Sequence, residues 1–130
     1  MMKFLFFPAV IFLSLQLSLY AQKHSNDSPV IFVKDTIVDF KTVNQGDKIN
    51  SQIEVINKGN RKLRISNVRG GCGLMVVSYP REDIAPGDTA AINIKYDSSR
   101  LGIFERYLTI HSNSENNTLK IRIRGEIVPE

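Results

Sequence analysis

The stretch L-K-I-R-I-R-G-E-I-V, residues 119–128, decides the fold. Leu119, Ile121, Ile123 and Ile127 alternate with Lys120, Arg122, Arg124 and Glu126. A period of two puts each set on its own face of a pleated strand, whereas a helix would scatter both around its axis. One face then belongs to a core and the other to water.

Upstream, the pattern repeats in short runs separated by turn residues. "FERYLTIHS" carries Phe104, Leu108 and Ile110 on one face, which Arg106 interrupts. "TAAINIKY" points Ala90, Ile92, Ile94 and Tyr96 inward, and "KLRISNV" does the same with Leu63 and Ile65. "KINSQIEVIN" aligns Ile49, Ser51, Ile53 and Val55, and a first pattern begins at Ile31 and Val33 and continues to Ile37 and Phe40. Asn44–Asp47, Asn57–Asn60 and Pro86–Asp88 punctuate these runs, because Asn and Gly accept positive φ and proline presets its own. No helical periodicity follows Pro29. About seven short antiparallel strands with turns every 8–12 residues predict an all-β, immunoglobulin-like sandwich. A closed barrel is the alternative, since it uses the same alternation.

The N-terminus has a different composition. Lys3 precedes an apolar run from Phe4 to Leu19, and Ala21 places a small residue before Gln22. Charge, apolar stretch and small residue in that order predict a signal peptide over residues 1–21 and an exported chain. An uncleaved anchor is the alternative; with cleavage, no transmembrane span is expected. Residues 22–28 (QKHSNDS) read as a flexible lead-in and 29–130 as the sandwich domain. Removing 21 of 130 residues leaves 109, and losing Lys3 leaves 16 basic residues against 13 acidic, a net of +3. That length carries one core. With a single cysteine, Cys72, no internal disulfide can form, so burial and strand pairing must supply the stability.

Several motifs recur in order: Asp39-Phe40, Asn57-x-Gly59, Cys72-Gly73, Pro86-Gly87, Gly102-x-Phe104, Ser112-Asn113 and Gly125-Glu126-Ile127. As an ordered set over roughly Val30 to Val128, they resemble the exported bacterial family catalogued as domain of unknown function fifteen-seventy-three. That family is similar to the major-sperm-protein and PapD-like immunoglobulin-type sandwiches. The resemblance implies a small, non-enzymatic envelope module. The family's usual Ser-Cys-Gly-Cys-Thr is here Gly71-Cys72-Gly73-Leu74-Met75, so Leu74 stands in place of a second cysteine. Lys41 replaces the glycine that commonly follows Asp-Phe.

The chemistry-bearing residues are few. A thiol clip for a metal or a redox dithiol needs a second sulfur, which Leu74 does not provide. Catalysis by Cys72 would need a base, and only His24 and His111 are available. Cys72 therefore reads as a small buried structural thiol at a glycine-bent corner, the alternative being a free thiol open to intermolecular disulfide formation or redox capping. Gly70, Gly71 and Gly73 lack the helix and the lysine of a phosphate loop. Glu82-Asp83 are adjacent rather than opposed, as a hydrolytic pair requires. The expectation is no enzyme, no cofactor and no metal.

Two surfaces are candidates for binding. Lys120, Arg122 and Arg124 project from one face and suit an anionic glycan or lipid, or serve simply as solvated charge that discourages sheet pairing at an edge. Nucleic acid is not expected, for want of interleaved aromatics and because of export. The second candidate is a strand edge that a partner strand could extend. Val30–Val33 and Leu74–Tyr79 are its two possible places, with Val76 and Val77 in an "LMVVSY" run that is apolar on both alternations. An unidentified envelope protein, in the periplasm or on the cell surface, is the expected partner.

Overall fold

A computed structural model describes residues 27–130. The expected leader, 1–21, and all but the end of the lead-in lie outside the described residues. The strands are β1 (Ile31–Phe32), β2 (Ile37–Asn44), β3 (Ile49–Asn57), β4 (Ile65–Gly70), β5 (Leu74–Ser78), β6 (Thr89–Tyr96), β7 (Gly102–Ser112) and β8 (Thr118–Val128). They form two four-stranded sheets, β1-β3-β6-β5 and β2-β8-β7-β4. The sandwich is therefore real and the barrel is not. Every pair is antiparallel except β2–β8, which runs parallel.

Alternation predicts the core well. Ile49, Ile53, Val55, Ile92, Ile94 and Tyr96 line it from one sheet, and Phe104, Leu108, Ile110, Ile121, Ile123 and Ile127 from the other. Each such side chain contributes roughly 1.5–3 kcal/mol on leaving water. Tyr96 and Phe104 stack across the sheets, 4.0 Å between centroids and 11° between planes. Two expectations shift locally. Ile37 is exposed and opposite Arg122, so Val38 and Phe40 carry β2's inward side. Leu63 stands before β4, joined to Ile84 by an isolated bridge.

The Asn57-x-Gly59 turn works by a mechanism other than positive φ. Asn57 is fully buried. Its amide donates to the carbonyls of Arg61 (2.6 Å) and Ile84 (2.9 Å), and its Oδ1 accepts from Gly59 N (3.0 Å) and Val30 N (3.3 Å). One side chain thus ties four backbone groups on three segments, and all of its hydrogen-bonding capacity is used. Gly59 keeps a negative φ, and its role is close approach. A Cβ there would lie 2.2 Å from Ser28 O and 2.6 Å from Val30 N. The positive φ falls instead at Lys41, +58°, the one non-glycine in that region among the described residues. It occupies a bulge between Asp39 and Thr42, and Asp39 Oδ1 accepts its N–H at 2.8 Å.

Candidate functional site

The basic stripe belongs to β8, which lies between β2 and β7 in the interior of its sheet. It cannot guard an edge, so that part of its reading is corrected. Register places acids beside it. Glu105 lies opposite Arg124, and Asp39 opposite Arg124 from the other flank. Arg124 Nε reaches Asp39 Oδ2 at 3.2 Å, and Arg122 Nε reaches Glu105 Oε1 at 3.3 Å. Tyr107, paired with Arg122, donates its hydroxyl to Glu105 at 3.2 Å. Asp39 is held below the usual carboxylate value, chiefly by the Lys41 N–H and then by Arg124. An incoming anion must compete with these carboxylates, and only Lys120 of the three stripe residues has no carboxylate within salt-bridge distance among the described residues.

The cysteine corner is where the chain leaves β4 in one sheet to begin β5 in the other. Gly71 N donates to Tyr107 O (3.1 Å) and Leu74 N to Gly71 O (2.9 Å). Gly73 takes φ +83°, and a Cβ there would lie 3.2 Å from the Tyr96 ring, so the turn favours a residue without a side chain. Arg106, the residue that interrupts β7's inner face, donates from Nε to Cys72 O at 2.7 Å. That clamp was legible only as an anomaly, a charge on an apolar alternation. The backbone of Cys72 is pinned, but its thiol is exposed, which overturns the expected buried hydrophobe. With the carbonyl turned in to Arg106, the side chain points to water. His111 lies five residues along β7 from Arg106, roughly 16 Å at strand rise, so Cys72 and His111 do not meet. His24 lies outside the described residues. Asp83 of the acidic pair is bound to Arg64 at 2.7 Å. No group of three or more His, Cys, Asp or Glu among the described residues is arranged to hold a metal.

Both expected edges are edges: β1 and β5 flank the same sheet. In β5, Leu74 is buried and Val76 half-buried against the core, while Met75 and Val77 are 56% and 58% exposed. Val77 is the extra residue of a bulge between Val76 and Ser78. The apolar-on-both-sides run is therefore covered on one side only. β1 has two residues and pairs with β3 only at Ile56 and Asn57.

Two four-stranded sheets joined by repeated crossovers define an immunoglobulin-type sandwich module. The chain belongs to the family described as "protein of unknown function (DUF1573)", whose sequence profile matches residues 31–127. No curated protein matches it. Among solved structures it is similar to a protein of unknown function from Porphyromonas gingivalis W83, with TM-score 0.68 and 20% identity over 83% of this chain. It spans about half of that protein, 51%. It is also similar to the ASH/PapD-like domain 7 of human CEP192, with TM-score 0.64 and 12% identity over 80% of this chain and 89% of that domain. A third similarity is to the secreted serine protease VesC from Vibrio cholerae, with TM-score 0.59 and 14% identity over 78% of this chain and 23% of that one. At these identities the likeness is one of fold.

Proposed function

We propose that this chain is a non-enzymatic, exported module of the bacterial cell envelope that binds another protein along an exposed strand edge. The observation that carries this reading is the sheet β1-β3-β6-β5. Both of its flanks present unpaired backbone, and Phe32, Met75 and Val77 expose apolar surface there. Main-chain hydrogen bonds supply affinity in strand addition, and alternate side chains supply selectivity. Export is supported by the charge, apolar run and small residue over 1–21. An anionic glycan or lipid ligand is the weaker reading, because Arg122 and Arg124 already have carboxylate partners.

The test is cross-linking of the tagged, full-length protein in the envelope of its own cells, followed by mass spectrometry. A partner recovered with the parent protein and lost after charged substitutions along the β3 flank or at Met75 and Val77 supports the reading. A partner retained by every edge variant but lost from Lys120→Ala/Arg122→Ala/Arg124→Ala would transfer the function to the basic face.

A further inference from the structure

The two flanks of this sheet are not equivalent, and the difference lies in the peptide groups of β3. Asn57 N donates to Asp88 O at 3.1 Å, and Asn57 O accepts from Gly87 N at 2.7 Å, so Asn57 faces β6. The β3–β6 register then runs from Ile56 to Ile49 without a shift. Alternation makes the odd-numbered residues bond to β6 and turns the peptide groups of Asn50, Gln52, Glu54 and Ile56 outward. Ile56 meets Phe32, where β1 ends. No other described backbone group bonds to Asn50, Gln52 or Glu54. Three consecutive outward positions therefore offer a donor and an acceptor each.

Beneath that flank lies a groove of about 400 Å³, lined by Val33, Lys34, Asp35, Ile37 and Val38 on one side and Ser51–Glu54 on the other, so that Lys34 and Asp35 offset each other and Glu54 leaves the lining one negative charge in excess. After β1 the chain crosses to the other sheet and continues as β2, so β2 forms the floor of the groove. β1 covers only Ile56 and Asn57 of β3, so a single extended segment laid in line with β1 continues the pairing along the rest of that flank. The remaining outer strands are poor templates. Register shifts interrupt β2, β4 and β5, and bulges of this kind blunt strand addition. Charge adds a preference. Glu54 is exposed, has no ion pair among the described residues, and faces uncharged Ala91 across β6.

We propose that the open flank of β3 is a slot for one extended segment of a partner polypeptide. The segment enters in line with β1, turns apolar side chains toward Val38 and Ile53, and sets a basic side chain beside Glu54. This deepens the strand-edge reading above and rests on it.

The probes are two eight-residue peptides, one alternating valine with lysine and threonine and the other carrying glutamate in place of lysine. The readout is amide hydrogen exchange and chemical shift on the full domain. The lysine peptide is expected to protect the amides of Gln52 and Glu54, and to lose this effect when its alternate amides are N-methylated. Gln52→Pro removes an N–H that faces the slot and none that faces β6, so binding is expected to fall at least about tenfold with the fold intact. Glu54→Lys is expected to reverse the preference between the peptides by about threefold each way, a cross-strand charge effect that holds even if the proline variant unfolds. Protection appearing at Val76 instead overturns the slot and leaves the strand-edge reading standing. Binding with no protection at any strand edge overturns both.

Discussion

Lys41 holds a φ of +58°, in the region that glycine enters at least cost. An L-residue with a Cβ costs about 1–2 kcal/mol in that region, against about 0.5–1 kcal/mol that glycine loses in chain entropy. Lys41→Gly is therefore expected to stabilise the domain by about 0.5–1 kcal/mol in urea unfolding, and Lys41→Val to destabilise it. Asn57 points the other way. Asn57→Ala leaves the buried Ile84 carbonyl, the part-buried Arg61 carbonyl and two N–H groups without their partner, at about 1–3 kcal/mol for each group that water cannot reach. Asn57→Asp keeps the shape and the acceptor but loses both donated bonds, so it too should lower the unfolding midpoint sharply. Asp39 gives the pH dependence its sign. Its folded carboxyl lies below 3.8 because it accepts the Lys41 N–H and sits beside Arg124. A depressed carboxylate contributes its full stabilisation above its unfolded value and loses it as pH falls through the folded one. The unfolding midpoint should therefore hold steady from about pH 7 to about pH 5 and decline below about pH 4, with a shallower decline in Asp39→Asn. The exposed Cys72 should react stoichiometrically with a thiol reagent in the native state; a thiol that labels only in denaturant would contradict the corner described above.

At the scale of elements, the alternation of β3, β6, β7 and β8 was legible residue by residue. Each strand buries one face, and a one-residue slip would bury its charges. What alternation does not carry is the neighbour of a strand. β8 reads like an edge by its Lys and Arg, yet β2 arrives from the other end of the domain, its residues 84–85 positions before their partners, and pairs with it in parallel. Bulges are equally silent, because each adds one residue without altering local composition. Val77 and Lys41 both sit in bulges, and only the family's glycine hinted at the second. The two flanking strands of the first sheet were legible, β1 by its brevity and β5 by its apolar run. The β3 slot was not, since it depends on β2 passing beneath. The split within β5 has a consequence that denaturation can check. Met75→Lys and Val77→Lys place charge on exposed positions and should change stability by about 0.5 kcal/mol or less. Leu74→Lys puts an unpaired ammonium into the core and should prevent folding.

At the scale of the molecule, the sign of the net charge and the place where it is felt separate from each other. The chain carries 17 basic and 13 acidic residues, +4 in all. On the outer face of the β2-β8-β7-β4 sheet, Arg69, Lys120, Arg122, Arg124 and Lys41 of the bulge stand among Asp39, Glu105 and Glu126, five charges against three, for a net of +2. The sequence shows the cations as a stripe because they share one strand. The acids arrive from β2 and from β7, and only pairing brings them alongside. Exposed ion pairs of this kind contribute little to stability, but they cancel the local field that would steer an anion onto the sheet. The protein should therefore elute early from an anionic polymer column, well below physiological salt. Asp39→Asn combined with Glu105→Gln leaves the cation count unchanged and releases Arg124 and Arg122 from their partners. Every arginine freed to bind an anionic group of the polymer should steepen the dependence of log affinity on log salt by about one unit, so the double variant should elute at distinctly higher salt. Equal retention of the two proteins would mean that the arginines were available to anions all along, and the face would regain its claim as a binding surface.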